Sequence, residues 1–243
     1  MGSEIECHFG YICYQSTEIR IKLLKAIFWD NDGVLVNTET LYQQATKEVL
    51  KVHGFELTHL LFVEHFLNRS TGLNSLLEPH NFTVDAISTI RASRNEVYAG
   101  LLRTQDLLID GVEEVLSELS HRYKMLIVTG SQKVHFDLMH EKTGILRYFQ
   151  FVLTAGDYEF GKPHPSSYLK ALERTNLKPE NSLVIEDSER GLAAAKGAGL
   201  RCWVIRTPIA RDCTFVHADM VLADVREVGT QIKKLESSVN ASR

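Results

Sequence analysis

The sequence has no uninterrupted run of about 18 apolar residues, so it offers no candidate membrane-spanning helix. Its four cysteines (Cys7, Cys13, Cys202, Cys213) are too few for a disulfide scaffold and form no CxxC pair for zinc. Basic charge is not in excess, since 27 Lys and Arg stand against 31 Asp and Glu, which argues against nucleic acid or an anionic membrane as partner. No basic residue precedes Arg20, unlike in a signal peptide. We therefore expect a reduced, cytoplasmic protein that is a monomer.

The sequence does contain a repeated order of short apolar run, polar loop and helical stretch. The apolar runs predict six buried strands, at 23–29, 125–128, 151–153, 182–185, 202–205 and 220–223. Helical stretches lie between them, for example at 111–119, 133–141, 166–174 and 190–198. This order predicts an α/β fold, in which helices cover both faces of a parallel sheet. Ligands of such sheets bind beyond the carboxyl ends of the strands, and the polar loops begin there.

The chain divides into three parts by pattern. Residues 1–21 show no clean period and are predicted to be an N-terminal extension. Residues 22–38 and 109–243 carry the strand and helix alternation and form the predicted core. Residues 39–108 contain no convincing buried strand and three amphipathic stretches, at 41–52, 60–67 and 84–102. An insertion after the first strand lies over the carboxyl end of that strand, so we expect 39–108 to be a helical cap.

Two pairs of carboxylates follow two of the predicted strands. Asp30 and Asp32 end the first strand, and Glu186 and Asp187 end the fourth. Taken alone, Asp30 and Asp32 are equally consistent with a solvated turn. Two acidic pairs at one sheet edge, however, repel each other unless a cation lies among them. Because the neighbouring residues include no cluster of His or Cys, hard oxygen ligands and Mg²⁺ are expected.

Two further residues complement the carboxylates. Thr129 follows the second strand at the start of a helical stretch, where its hydroxyl and nearby backbone N–H groups suit an anion. A role as a helix N-cap explains Thr129 equally well. Lys162 lies between Gly161 and Pro163 before another helix. An isolated lysine is usually a surface charge, but beside four carboxylates and an anion site Lys162 would balance charge.

With these residues in their order, the chain resembles the haloacid dehalogenase-like hydrolases, most of all the capped phosphatase branch that includes the β-phosphoglucomutases. The matching segments are Asp30-Asn31-Asp32-Gly33-Val34-Leu35-Val36, Leu126-Ile127-Val128-Thr129, Gly161-Lys162-Pro163-His164-Pro165 and Ile185-Glu186-Asp187-Ser188. Each motif is weak by itself, whereas all four in the family's order at strand ends are specific. The resemblance covers residues 23 to about 210 and implies a Rossmann-like core with an inserted helical cap, which matches in character only.

The resemblance also implies a role for each matching position. Asp30 would be the nucleophile that forms an aspartyl-phosphate, and Asp32 would be the general acid and base. Thr129, the Gly130 N–H and Lys162 would bind the transferring phosphoryl group. The Mg²⁺ ligands would be the Asp30 side chain, the Asp32 backbone carbonyl and Asp187, with Glu186 bound directly or through another group. The implied activity is hydrolysis of a small phosphorylated metabolite, with sugar phosphates favoured.

Related activities stay open or are disfavoured by single residues. Dehalogenases of this family lack the second aspartate, so Asp32 argues against them. Phosphonatases place a Schiff-base lysine in the cap, whereas the cap lysines here, Lys47 and Lys51, lie on the first helix and are predicted to face solvent. A phosphomutase remains the main alternative. The mutases carry a histidine where this chain has Tyr42. They also carry a cap arginine, at a position that corresponds to Thr71 here, two residues after Arg69. Both departures favour hydrolysis.

A receiver-like regulatory phospho-acceptor is the alternative from another class. It is disfavoured because its acceptor aspartate follows a later strand and it has no cap.

Asn37 replaces an aspartate common in the relatives, while Thr38 is retained. The candidates for recognising the leaving group are Tyr42, Arg69, Asn74 and Arg94. We assign His59, His65, His135 and His140 to surface or core packing, and Trp29 and Trp203 to the core.

Overall fold

The computed structural model describes residues 24–68 and 72–241, with side chains described as far as 237. The predicted extension at 1–21, with Cys7 and Cys13, lies outside the described residues. So do two cap candidates, Arg69 and Thr71.

One six-stranded sheet forms the centre of the molecule, and every neighbouring pair of its strands is parallel, in the order β3-β2-β1-β4-β5-β6. The strands are β1 (Ala26–Trp29), β2 (Lys124–Val128), β3 (Phe151–Leu153), β4 (Ser182–Glu186), β5 (Arg201–Ile205) and β6 (Met220–Leu222). Each predicted strand is confirmed to within three residues. The sequences of such strands are continuous apolar runs, because helices bury both faces of a parallel sheet.

The described residues of segment 39–108 form four α-helices. They are α1 (Glu39–Val52), α2 (His59–Phe62), which continues as a π-helical segment (Val63–Asn68), α3 (Gly72–Leu77) and α4 (Val84–Thr104), with a 3₁₀ turn at Glu78–His80. They pack on an apolar cluster that includes Leu50, Phe62, Leu77 and Ile90 and is joined by Ile209 from the loop after β5. The helical character of 39–108 is therefore confirmed, while its boundaries as a separate domain stay a prediction.

The remaining helices cover the two faces of the sheet. They are α5 (Val112–Ser120), α6 (Lys133–His140), α7 (Ser166–Thr175), α8 (Glu189–Gly197) and α9 (Arg226–Ala241). Alternation along β1 shows the two layers, because Ile27 and Trp29 pack with α5 and α9 while Ala26 and Phe28 pack with α7 and α8. Trp29 and Trp203 are both buried, as predicted.

Strand register determines which side chains meet at the carboxyl edge. Trp29 of β1 is level with Ile127 of β2 on one side and with Ile185 of β4 on the other. The residues that follow β1, β2 and β4 therefore emerge side by side, and these are the loops of Asp30, Thr129 and Asp187. In the described part of the chain, no helix combines the length and apolar character that crossing a membrane requires.

Candidate active site

Lys162 joins two carboxylates at the centre of the site. Its Nζ donates to Asp30 Oδ1 and to Glu186 Oε1, each at 2.6 Å, and to the Val128 carbonyl at 2.9 Å. Lys162 is only 5% exposed. Burial lowers its pKa, but the charges of Asp30 and Glu186 outweigh that effect and raise the pKa above its usual value. Burial raises the pKa of Asp30 to about 7, against the opposing effect of Lys162.

Glu186 has both carboxylate oxygens engaged by protein donors. Oε1 accepts from Lys162 and, at 2.6 Å, from the Tyr168 hydroxyl; Oε2 accepts from the Ser188 hydroxyl at 3.1 Å and the Asp187 N–H at 3.2 Å. Burial raises the pKa of Glu186, but Lys162 more than offsets this and holds the pKa below its usual value. A carboxylate with four donors suits holding Lys162 better than direct binding of a cation.

Asp187 differs from Glu186 because one of its oxygens has no partner. Its Oδ2 is buried and accepts no hydrogen bond from any described residue. Burial raises the pKa of Asp187 well above its usual value, and repulsion by Glu39 adds to the increase. A Cβ on Gly33, which has φ +80°, would lie 2.0 Å from this oxygen. The glycine therefore allows the backbone that follows Asp32 to approach the carboxylate.

The carboxylates of Asp30, Glu186 and Asp187 each place one oxygen within 4.8 Å of the others. The donors are all oxygens, at least one of them is buried without a partner, and the backbone approaches closely at Gly33. These three features fit a small, hard cation such as Mg²⁺. They would be unfavourable without one, because the clustered anions repel.

The Asp32 carboxylate contacts a set of neutral donors. It accepts from the hydroxyls of Thr38 at 2.5 Å, Ser131 at 2.8 Å and Thr129 at 3.2 Å. The Asn31 amide adds a long contact of 3.4 Å. Asp30 and Asp32 therefore occupy different surroundings two residues apart, as separate roles for the two carboxylates require.

Thr129 and Gly130 lie next to the site but have different contacts. Thr129 is fully buried, and its Oγ1 donates to Asp32 while accepting from the Ser131 N–H at 3.0 Å. Gly130 and Ser131 line the cavity above the carboxylates. Six of the residues named from sequence are thus brought to one sheet edge with Gly130: Asp30, Asp32, Thr129, Lys162, Glu186 and Asp187.

Sequence reasoning missed Glu39, which begins α1 and lines the same cavity. Burial raises its pKa to about 8, while its contact with Asp187 and the charge of Arg190 act in the opposite direction. An acidic residue in the first turn of a helix is ordinarily explained by the helix dipole, so the sequence offered no reason to place Glu39 in the site. It also missed Ser131, which has no motif of its own.

The cap candidates differ in where the structure places them. Tyr42 and Arg94 line the cavity and contact each other, whereas Asn74 accepts a hydrogen bond from Arg91. His135 and His140 are buried, as packing predicts, but His135 also lines the cavity. Lys47 and Lys51 are exposed on α1, as expected. The cavity has a volume of about 320 Å³, enough for a small metabolite.

The chain matches a family of known proteins. The model of the haloacid dehalogenase-like hydrolases matches residues 27–205. The chain belongs to this family. It is therefore a hydrolase with phosphatase relatives, and not a receiver-like phospho-acceptor.

Two relatives have sugar-phosphate names. The chain is 30% identical over 183 residues to the phosphorylated carbohydrates phosphatase of Thermotoga maritima. The aligned region covers 73% of this chain and 82% of the relative. It is 25% identical over 182 residues to a fructose-1-phosphate phosphatase of Escherichia coli, covering 72% of this chain and 92% of the relative.

A solved structure agrees in fold. A variant of CbbY from Rhodobacter sphaeroides, in complex with xylulose-(1,5)bisphosphate, superposes with a TM-score of 0.74 at 24% identity and covers 85% of this chain and 96% of that chain. At this identity the agreement concerns the fold, which is the Rossmann-like arrangement expected from sequence.

Proposed function

We propose that the protein is a Mg²⁺-dependent phosphomonoester hydrolase that forms an aspartyl-phosphate on Asp30. The observation that carries the proposal is the convergence of Asp30, Glu186 and Asp187 within 4.8 Å, with Lys162 bonded to two of them, at the base of a cavity. A buried lysine beside a buried carboxylate suits in-line attack on a phosphate ester, because Lys162 can balance the charge that the phosphoryl group brings.

In the first step, an oxygen of Asp30 donates an electron pair to phosphorus. The bond from phosphorus to the ester oxygen breaks, and Asp32 gives a proton to that departing oxygen. Asp32 suits this role because Thr38, Ser131 and Thr129 hold its carboxyl in place. The Ser131 side chain and the Gly130 backbone line the cavity beside it and would bind the transferring group.

In the second step, a water molecule attacks the phosphorus of the aspartyl-phosphate. Asp32 now takes the proton of that water, the bond from phosphorus to the Asp30 oxygen breaks, and inorganic phosphate leaves. The carboxylates return to their starting states, so the cycle balances. Both steps use one proton donor and acceptor, which explains why the site needs a second aspartate.

The side chains of Asp30 and Asp187 and the backbone carbonyl of Asp32 would hold Mg²⁺. When bound, the ion would neutralise charge on the phosphoryl oxygens. Glu186 would contribute mainly by holding Lys162, because protein donors already engage both its oxygens. The raised pKa values of Asp30 and Asp187 support this assignment, since a cation would stabilise the ionised forms that burial disfavours.

The substrate we infer is a small sugar phosphate, as the names of the relatives suggest. The helical insertion at 39–108 would act as a cap over the ester, since Tyr42 and Arg94 of that segment line the cavity with Asp30. The proposal includes a cytoplasmic monomer, and light scattering after size-exclusion chromatography tests the monomer.

Phosphate release from a panel of sugar phosphates, nucleotides and short phospho-acids tests the proposal. We expect release that needs Mg²⁺, stops with chelator and is lost in Asp30→Asn. The matched control is Asp137→Asn, which changes an aspartate on the exposed side of α6. Isomerised sugar phosphate without phosphate release would contradict hydrolysis and favour the phosphomutase. Release that survives in Asp30→Asn would contradict the nucleophile.

A further inference from the structure

Two arginines of α4 line the same cavity as the catalytic carboxylates. Arg94 is buried to 6% exposure, and Arg91 lies one helical turn before it, partly exposed. They lie on the side of the cavity formed by the helical insertion. The arginine typical of the mutases would fall near Arg69 or Thr71 on a different segment, so α4 presents these cations independently.

The partners of Arg94 are all neutral. Its Nη1 donates to the Tyr42 hydroxyl and its Nε to Asn95 Oδ1 at 2.9 Å. Its guanidinium carbon lies 4.4 Å from the centre of the Tyr42 ring. Arg91 donates to the Asn74 carbonyl oxygen. Within the described ranges, neither arginine forms an ion pair with a carboxylate.

This arrangement is unfavourable in the absence of an anion. Burial lowers the pKa of Arg94, and among the neighbouring charges Arg91 lowers it further. A buried cation is ordinarily paired, because loss of hydration is compensated only by a nearby negative charge. Since both arginines line the cavity, a bound molecule can supply that charge. The planar guanidinium binds phosphate or carboxylate through two parallel hydrogen bonds.

Aromatic rings share the cavity with the two arginines. The Tyr98 ring contacts the rings of Tyr42 and His135, each with centroids 5.2 Å apart. Asp32, Arg94 and these three rings all line the cavity. Arg94 therefore shares a cavity with Asp32, the proposed proton donor to the leaving oxygen.

We infer that the substrate carries a second anionic group, phosphate or carboxylate, on its leaving half, and that Arg94 with Arg91 binds it. This inference rests on the proposed function and narrows its substrate class to sugar bisphosphates or phosphorylated sugar acids. Tyr42 then orients the Arg94 side chain through its hydroxyl and its ring.

Matched substrate pairs test the inference. Fructose 1,6-bisphosphate is compared with fructose 1-phosphate for a phosphate, and 3-phosphoglycerate with glycerol 3-phosphate for a carboxylate. The wild type is expected to have the higher kcat/KM for the doubly anionic member of at least one pair. Arg94→Gln should lower kcat/KM for that member about 100-fold and for its partner only about threefold. Arg91→Gln should act in the same direction, while Arg103→Gln, an exposed arginine of the same helix, should change neither.

The ratio within a pair separates binding of the second anion from general damage to the fold, which would lower both rates equally. Calorimetric binding of both members to Asp30→Asn provides a readout that needs no turnover. If Arg94→Gln leaves both the ratio and the binding difference unchanged in both pairs, the inference is wrong, even where phosphate release confirms the proposed function. If no substrate is hydrolysed but Arg94→Gln weakens binding of the doubly anionic member alone, the arginine site stands and the proposed reaction fails.

Discussion

The ammonium nitrogen of Lys162 lies 2.6 Å from Asp30 Oδ1 and 2.6 Å from Glu186 Oε1. All three side chains are buried, so the direct ion pairs with Lys162 offset part of the cost of burying the two carboxylates. The three residues come from the ends of β1 and β4 and from the loop before α7. Lys162 thus holds the proposed nucleophile Asp30 in place and connects the loop before α7 with the ends of β1 and β4.

Lys162→Met should destabilise the fold by about 3 kcal/mol at pH 8, because it leaves buried carboxylates without their cation. Urea unfolding measures the change. Combining it with Glu186→Gln should recover part of the stability but none of the activity. The control is Lys170→Met on α7, which removes an exposed pair with Glu173 and should change stability by less than about 1 kcal/mol. Equal losses for both lysines would contradict the buried network.

Gly191→Ala and Gly100→Ala should change stability in opposite directions, although both glycines lie inside helices. A Cβ on Gly191 would lie 2.0 Å from the Glu186 carboxyl carbon, so alanine must displace that carboxylate and should destabilise by about 1–3 kcal/mol. Gly100 on α4 has open space at that position, so alanine should stabilise by about 0.5–1 kcal/mol. Thermal unfolding of the two variants decides; a neutral Gly191→Ala would refute the packing.

Thr38→Val should reduce turnover of alkyl phosphates about 10- to 100-fold, because it removes the shortest hydrogen bond to Asp32. The loss should be smaller with p-nitrophenyl phosphate, whose leaving group needs little protonation. Thr46→Val is the control, since that buried hydroxyl donates to the Tyr42 carbonyl instead. Steady-state kinetics on both substrates measure the difference. An equal loss of turnover on both substrates would contradict the view that Thr38 assists proton donation by Asp32.

His140 should make stability depend on pH. Its Nε2 donates to Asn31 Oδ1 at 2.8 Å, and burial lowers its pKa to about 4 from the usual 6.5. Between these values the unfolded chain binds the proton and the folded chain does not, so this residue's contribution is lost as pH falls from 6.5 toward 4. Relative to His140→Gln, the wild type should lose about 2–3 kcal/mol between pH 7.5 and 4.5. A difference in unfolding free energy that stays constant with pH would contradict this.

The sheet edge could be predicted from sequence because its signals are local. A buried strand of a parallel sheet is a short apolar run, and the first polar residue after it marks the carboxyl edge. Asp30, Thr129 and Glu186 each occupy that position, and Asp187 follows Glu186, so their meeting required only that β1, β2 and β4 be neighbours. The order of these strands follows from the family resemblance more than from any single motif.

What the sequence did not show depends on contacts between distant segments. Glu39 reaches Asp187 only because Gly33 brings the loop after β1 close to it. The role of Glu186 depends on Tyr168, whose hydroxyl arrives from α7. The six-residue helix α3 is too short to leave a periodic pattern. The pairing of Arg94 with Tyr42 joins α4 to α1, and nothing in either segment alone predicts it.

The most direct test of the central claim is a pre-steady-state burst experiment on Asp32→Asn with excess p-nitrophenyl phosphate and Mg²⁺. This variant keeps the nucleophile but cannot activate water, so we expect a burst of p-nitrophenol equal to the enzyme and then almost no further release. Mass spectrometry should show the protein heavier by one phosphoryl group, carried by the peptide that contains Asp30. A burst without added mass, or a phosphoryl group on Ser131 or another residue, would contradict the aspartyl-phosphate mechanism.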